Sequence, residues 1–192
     1  MKSKSVSGYS PGSRENLERF RQGCRQWDRG DTSRAFSSFL AGARAGDSSS
    51  QLNLGYFYDR GLGVVASQEK ALHWYLRAWK QGNASAAANI ATIHRDRGSM
   101  RRAIRWFGLA LRHGNTDSAL DLGEVYLQLG ADSKAIPLLM KAHRARRVTP
   151  ATRERAKALL DRLKSSNERN SRPAKGRKRS HVLQRSRPKP PG

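Results

Sequence analysis

Five histidines, one cysteine, a few carboxylates and a short glycine-rich stretch are the residues of this 192-residue chain whose types could do chemistry. His73, His94, His113, His143 and His181 show no H-E-x-x-H spacing, and no Cys-x-x-Cys pair exists to complete a zinc set. Cys24 lies between Arg21 and Arg25, cations able to lower a thiol pKa, but it also follows Gly23, where a small buried residue is the favoured reading. Gly61 and Gly63 in "YDRGLGVV" raise the question of a phosphate cradle. Such a cradle needs a preceding strand and glycines that open a helix, whereas "QLNLGYFY" before them reads as helix. Asp59, Asp96 and Asp121 fall where helix ends and faces place solvated charges. No G-x-S-x-G elbow, Walker loop or paired-carboxylate arrangement appears. The expectation is a chain that is not an enzyme, with no cofactor, no metal site and no small-molecule substrate.

The elements that would position these residues recur. "RAFSSFLAGARAGD" from Arg34, "KALHWYLRAWKQGN" from Lys70, "RAIRWFGLALRHGN" from Arg102 and "KAIPLLMKAHRARR" from Lys134 can be laid over one another. Their alanines Ala35, Ala71, Ala103 and Ala135 are 36, 32 and 32 positions apart, in the range of helical-hairpin repeats. Four positions on stand Phe39, Tyr75, Phe107 and Leu139, and seven positions on Gly42, Ala78, Ala110 and Ala142. Small, large, small at i, i+4, i+7 is one helix face. Upstream of each lies a partner helix with Gly23, Gly55, Ala91 or Gly123 where two helices cross, then Gln26, Tyr58, His94 or Tyr126 three residues later. His94 thus belongs to an aromatic column, and Trp74 and Trp106, at matching positions, read as inter-helix packing. Gly30, Gly61, Gly98 and Gly130 end the partner helices, and Asp31, Ser67, Ser99 and Asp132 are the expected N-caps of the next ones. Gly61 precedes its alanine by ten residues instead of five, so "GLGVVAS" is a longer turn.

"LNLGYFYDRGLGV...KALHWYLRAWKQGN" resembles a Sel-one-like repeat, in which an LG-x-x-Y helix passes through a G-x-G-V loop into a K-A-x-x-W-Y helix; the other three units resemble tetratricopeptide repeats. The first unit departs most, with Gln26 for the aromatic and Ser38 where Trp74 and Trp106 stand. The resemblance implies an all-α, right-handed solenoid of antiparallel helix pairs, about four repeats plus a C-terminal capping helix, with a groove lined by the first helix of each pair. No single pair covers its own apolar face, so neighbours must stack. The groove positions so implied are Asn53 and Tyr56, then Asn89, Thr92, Arg95 and Asp96, then Asp121, Glu124 and Gln128. Thr149 and Pro150 mark the start of the capping helix, with Ala156, Leu159, Leu160 and Leu163 as its apolar stripe.

The domain reading is a basic disordered leader over residues 1–14, a repeat solenoid over 15–164 with its capping helix at 149–164, and a disordered basic tail over 165–192. Formal charge is +23, and residues from Arg144 onward hold 17 basic side chains against 3 acidic ones. Lys175, Arg177, Lys178 and Arg179 are the densest run, able to contact anions electrostatically with little sequence information. No stretch has the length and apolarity of a secretory signal or a transmembrane segment, Gly8, Pro11 and Gly12 oppose an amphipathic targeting helix, and a lone cysteine excludes an intramolecular disulfide. A cytoplasmic protein is expected, with "KGRKR" acting as a nuclear import signal only in a host that has a nucleus. The leading function is a non-catalytic adaptor that binds a protein or peptide segment in the groove, its basic tail adding electrostatic tethering. The alternative is a nucleic-acid- or ribosome-associated protein that binds through the tail and an Arg-rich surface of Arg97, Arg101, Arg102, Arg105 and Arg112.

Overall fold

The computed structural model describes residues 11–171, with side chains described from 14 to 167. Among these residues there are nine helices and no strand: α1 (Pro11–Asp28), α2 (Thr32–Arg44), α3 (Ser48–Arg60), α4 (Gln68–Lys80), α5 (Ala84–Asp96), α6 (Met100–Arg112), α7 (Ser118–Gln128), α8 (Asp132–Arg144) and α9 (Pro150–Ser171). Each helix packs on its neighbours in sequence, so four helix pairs stack in series and α9 covers the last of them.

Every pair closes over the same small-on-large contact. A methyl group built on Gly23 would stand 2.6 Å from the Phe39 ring, one on Gly55 2.6 Å from the Tyr75 ring, and one on Gly123 2.9 Å from Leu139. In the third pair Ala91 shares a buried cluster with Phe107. Phe39, Tyr75, Phe107 and Leu139 are all buried, as are Ala35, Ala71, Ala103 and Ala135 one turn before them. The second small residue of the pattern then faces the next pair: Gly42 meets Ser50, and Ala78 and Ala86 lie in one cluster. Polar joints fix the stacking as well, since Gln51 Nε2 donates to the Ala43 carbonyl at 3.2 Å in the interior and Gln81 Nε2 to Gln51 Oε1 at 2.8 Å nearer the surface.

The two departures in the first unit satisfy each other. The Ser38 hydroxyl donates to Gln26 Oε1 at 2.7 Å. The corresponding positions of the second unit, Tyr58 and Trp74, are packed against the first pair's apolar cluster.

The longer turn between α3 and α4 is structural. Gly61 ends α3 with φ 69°, in the left-handed region that glycine enters without strain, and Gly63 has φ 65°. A Cβ on Gly63 would come within 2.7 Å of the Thr32 carbonyl oxygen, so the turn lies against the backbone at the start of α2. Leu62 joins the first pair's cluster, the Ser67 N–H donates to the Tyr58 carbonyl at 2.8 Å, and the Ser67 hydroxyl caps Lys70 N. These glycines bring the inserted turn onto the preceding repeat.

Several boundaries differ from the sequence reading. α1 begins at Pro11, inside the 1–14 leader, because a proline in the first turn lacks only an N–H that has no helical partner there. α9 continues to Ser171 instead of stopping at 164; the Ser165 hydroxyl bonds the Asp161 carbonyl at 2.8 Å, and no proline follows until Pro173. Asp31 and Ser67 cap as expected, but Ser99 makes no side-chain cap bond and Asp132 is the first residue of α8, capped by Ala131. Residues 1–10 and 172–192, including Lys175, Arg177, Lys178 and Arg179, lie outside the described residues.

Candidate functional site

Two pairs of consecutive first helices touch directly, α3 with α5 and α7 with α9, and no two second helices touch to that extent. This makes the first-helix layer the inner side, and α3, α5 and α7 carry the residues expected in the groove. Of these, Asp96 and Gln128 are exposed and the other seven are half-buried. Arg95 pairs with Asp96 at 3.3 Å and with Asp121 on the next first helix at 3.8 Å, and its guanidinium lies 5.9 Å from the Phe107 ring centroid. Arg155 Nε donates to Glu124 Oε1 at 2.9 Å. A charged row therefore runs across α5, α7 and α9. Beside it Glu124, Gln128, Arg155 and Arg162 line a cavity of about 440 Å³.

Arg155 was not legible as a groove residue, because its place depends on how α9 stacks on α7. The same stacking puts Thr152 Oγ1 2.6 Å from Asp117 Oδ1.

Three expected groove residues also serve the fold. Tyr56 packs on Trp27 with ring centroids 5.6 Å apart, the Thr92 hydroxyl bonds back to the Ala88 carbonyl at 3.1 Å, and the Asn89 side chain lies beside the Tyr75 hydroxyl. Asn53 and Asn89 share a repeat position, but Asn89 also faces its own stack.

Burial pushes the Asp121 carboxyl up to about 6; Arg95 opposes the rise, and Glu124 and Asp117 add to it. Burial likewise raises Asp59, against Arg60 and with Asp96. For Asp121 the folded-state pKa exceeds the ordinary 3.8, so between about pH 4 and 6 the folded chain holds a proton the unfolded chain has released. Its contribution to stability is full at low pH and lost as pH rises through 6, leaving the ionised carboxylate a burden at neutral pH. Asp121→Asn is therefore expected to raise the melting temperature at pH 7.5, and this gain should fade by pH 4. With the side chain 36% exposed, solvent holds the gain to about 1 kcal/mol, or roughly 2–4 °C for a domain of this size. Melting curves of both proteins across that range check it.

Cys24, Trp74 and Trp106 are placed as packing groups. Cys24 is half-buried against the Phe39 cluster, and burial followed by the Asp28 charge raises its thiol pKa, outweighing Arg25. His94 is half-buried, its pKa lowered first by burial and then by Arg102 and Arg97. Trp106 stacks edge-on with Trp79 at 5.9 Å, and Trp74 holds the Arg77 guanidinium at 5.1 Å. Among the described residues no three His, Cys, Asp or Glu side chains are grouped to hold a metal ion, and no helix is long and apolar enough to cross a membrane.

Serial small-on-large helix pairs with a polar inner layer define an α-helical repeat solenoid. The chain carries Sel1-like repeats: the Sel1 repeat family model matches residues 48–83 and 93–115. Among solved structures, a Sel1 repeat protein from Oxalobacter formigenes is 19% identical, over 82% of this chain and 67% of that one, with a TM-score of 0.65. A protective antigen present in uropathogenic Escherichia coli strains and displaying an SLR fold is 23% identical over 81% of this chain, with a TM-score of 0.66. This chain spans about a third of that antigen, 35% of its length. A tetratricopeptide repeat protein from Parabacteroides merdae ATCC 43184 is 20% identical, over 81% of this chain and 62% of that one, with a TM-score of 0.59. These likenesses are of fold. No curated protein matches.

Proposed function

We propose that this chain is a non-catalytic adaptor that holds a segment of a partner protein along the inner layer, while the basic tail adds electrostatic tethering. One observation carries the reading: Arg95, Asp121 and Glu124, half-buried, and the exposed Arg155, from α5, α7 and α9, form a single row of charged groups on the inner side. Ion pairs so exposed contribute little to the fold, and Asp121 is held ionised there at a cost to it. Half-satisfied charges on a rigid scaffold suit recognition of peptide amides and charged side chains. Repeats of this class are in general protein–protein interaction scaffolds, typically without catalysis.

The test is capture from a lysate, with and without nuclease, by the full chain and by an Asn89→Ala/Arg95→Ala variant. A protein retained by the full chain after nuclease treatment and lost by the variant supports the adaptor. A partner that vanishes on nuclease treatment, with both chains behaving alike, overturns it.

A further inference from the structure

The last turn of every second helix ends in a cation. Arg44, Lys80, Arg112 and Arg144 close α2, α4, α6 and α8 at spacings of 36, 32 and 32 residues, the spacing of the repeat itself. All four are exposed. Because successive pairs stack, these positions line one edge of the solenoid, the edge at which α3, α5, α7 and α9 begin. Between α8 and α9 the exposed Arg146 and Arg147 extend the row.

A cation near a helix C-terminus also interacts favourably with the helix dipole, and that alone accounts for any single member. It does not account for the difference between the two layers. The last-turn arginines of the inner helices α1, α3 and α5 have carboxylate partners: Arg25 with Glu18, Arg60 with Asp59, Arg95 with Asp96 and Asp121. Among the described residues Arg44, Lys80, Arg112 and Arg144 make no ion pair. The two acids in the turns of this edge are engaged by the protein's own donors, Asp47 by Ser50 N and Asp117 by Thr152 Oγ1 and Thr149 N.

We infer that this edge is a track for the phosphate backbone of a single nucleic-acid strand, crossing the repeats with one cation per repeat. Regular spacing of uncompensated cations suits an anion that is itself regularly repeated, and the two helix N-termini of this edge with neutral caps, α5 behind Asn83 and α9 behind Thr149, add positive potential along it. An anionic membrane is the weaker match, since surface binding of that kind also needs apolar side chains to insert. Among the described residues the exposed large apolar side chains lie elsewhere: Val65 and Leu129 at the opposite edge, Leu76 and Ile136 within α4 and α8. The surface differs from the Arg-rich cluster read from sequence, which the fold divides. Arg101, Arg102 and Arg105 stand in the first two turns of α6, whereas Arg112 ends it, about 10–16 Å further along at roughly 1.5 Å per residue.

The test is fluorescence anisotropy of a labelled single-stranded uridine homopolymer against the full chain, tail intact, over a series of salt concentrations. Every cation withdrawn from the phosphates of a single strand should lower the slope of log affinity against log salt by about 0.7, so Arg44→Gln/Lys80→Gln/Arg112→Gln/Arg144→Gln should lower it by roughly 3. The single substitutions, too mild to unfold the chain, should each give one step. A control of equal charge at the opposite edge, Arg29→Gln/Arg34→Gln/Arg101→Gln/Arg102→Gln, should leave the slope near that of the parent. The proposal is overturned if both sets lower the slope equally, which would mean net charge alone. It is also overturned if neither set changes the slope, which would assign binding to the tail, or if the parent binds anionic phosphatidylserine vesicles and not the oligonucleotide.

Discussion

Gly55→Ala is expected to destabilise the solenoid by about 1–3 kcal/mol, while Gly108→Ala stabilises it by about 0.5–1 kcal/mol, although both add one methyl group to a helix interior. Ordinarily the change favours folding, because glycine loses more backbone entropy and lacks a side chain to pack. At Gly108 nothing stands within 4 Å of the new methyl, so the ordinary gain should appear. At Gly55 the methyl would sit 2.6 Å from two atoms of the Tyr75 ring, itself 1% exposed and walled in by Ala71, Ala78 and Ile90. The ring cannot withdraw without moving the α3–α4 crossing, and in a close-packed interior that displacement outweighs the helix-propensity gain. Gly123→Trp and Ala103→Trp should go further and abolish cooperative unfolding, since neither crossing has room for an indole. Urea melts followed by circular dichroism give all four values. Equal signs at Gly55 and Gly108 would mean that the pairs do not close over the small-on-large contact.

The contrast shows which features were legible in the sequence. The column of Gly23, Gly55, Ala91 and Gly123 against Phe39, Tyr75, Phe107 and Leu139 was readable because helix geometry ties spacing to facing, and each partner lies within one repeat. The Gln26–Ser38 bond was not: each residue looked like a loss of an aromatic, and only their positions on facing helices make them a pair. The same limit applied at the inner face. Positions on α3, α5 and α7 followed from the repeat, but the Arg95–Asp121 and Glu124–Arg155 pairs cross between stacked helices. Their existence depends on stacking offset and side-chain reach, which no single-repeat pattern encodes. Helix ends were misplaced for a related reason. The leader's end at residue 14 and the tail's start at Ser165 were set by composition, yet neither Pro11 nor Ser165 removes a bond that the helix needs.

Groove and tail are expected to separate by their response to salt. Alanine at both Asn89 and Arg95 should weaken binding to the captured protein at every salt concentration, because a hydrogen bond to a charged group contributes roughly 1.5–3 kcal/mol at contact distance, where mobile ions do not intervene. Arg95 is the more informative of the two: it joins Asp96 and Asp121 and is 26% exposed, so its loss also leaves Asp121 without the cation that opposes its protonation. Asn89→Ala alone should cost stability as well as affinity, since the Tyr75 hydroxyl loses its polar neighbour. Removing residues 172–192, which carry 8 basic and no acidic side chains, should act differently. Charges that are not in contact are screened beyond about 8–10 Å at physiological ionic strength, so the deletion should weaken binding chiefly at low salt and little near 0.15 M. Isothermal titration of the parent, the groove variant and the shortened chain at low and physiological salt resolves the two contributions. If the shortened chain fails to bind at any salt while the groove variant binds like the parent, the inner layer is not the binding surface, and the solenoid serves only to carry the tail.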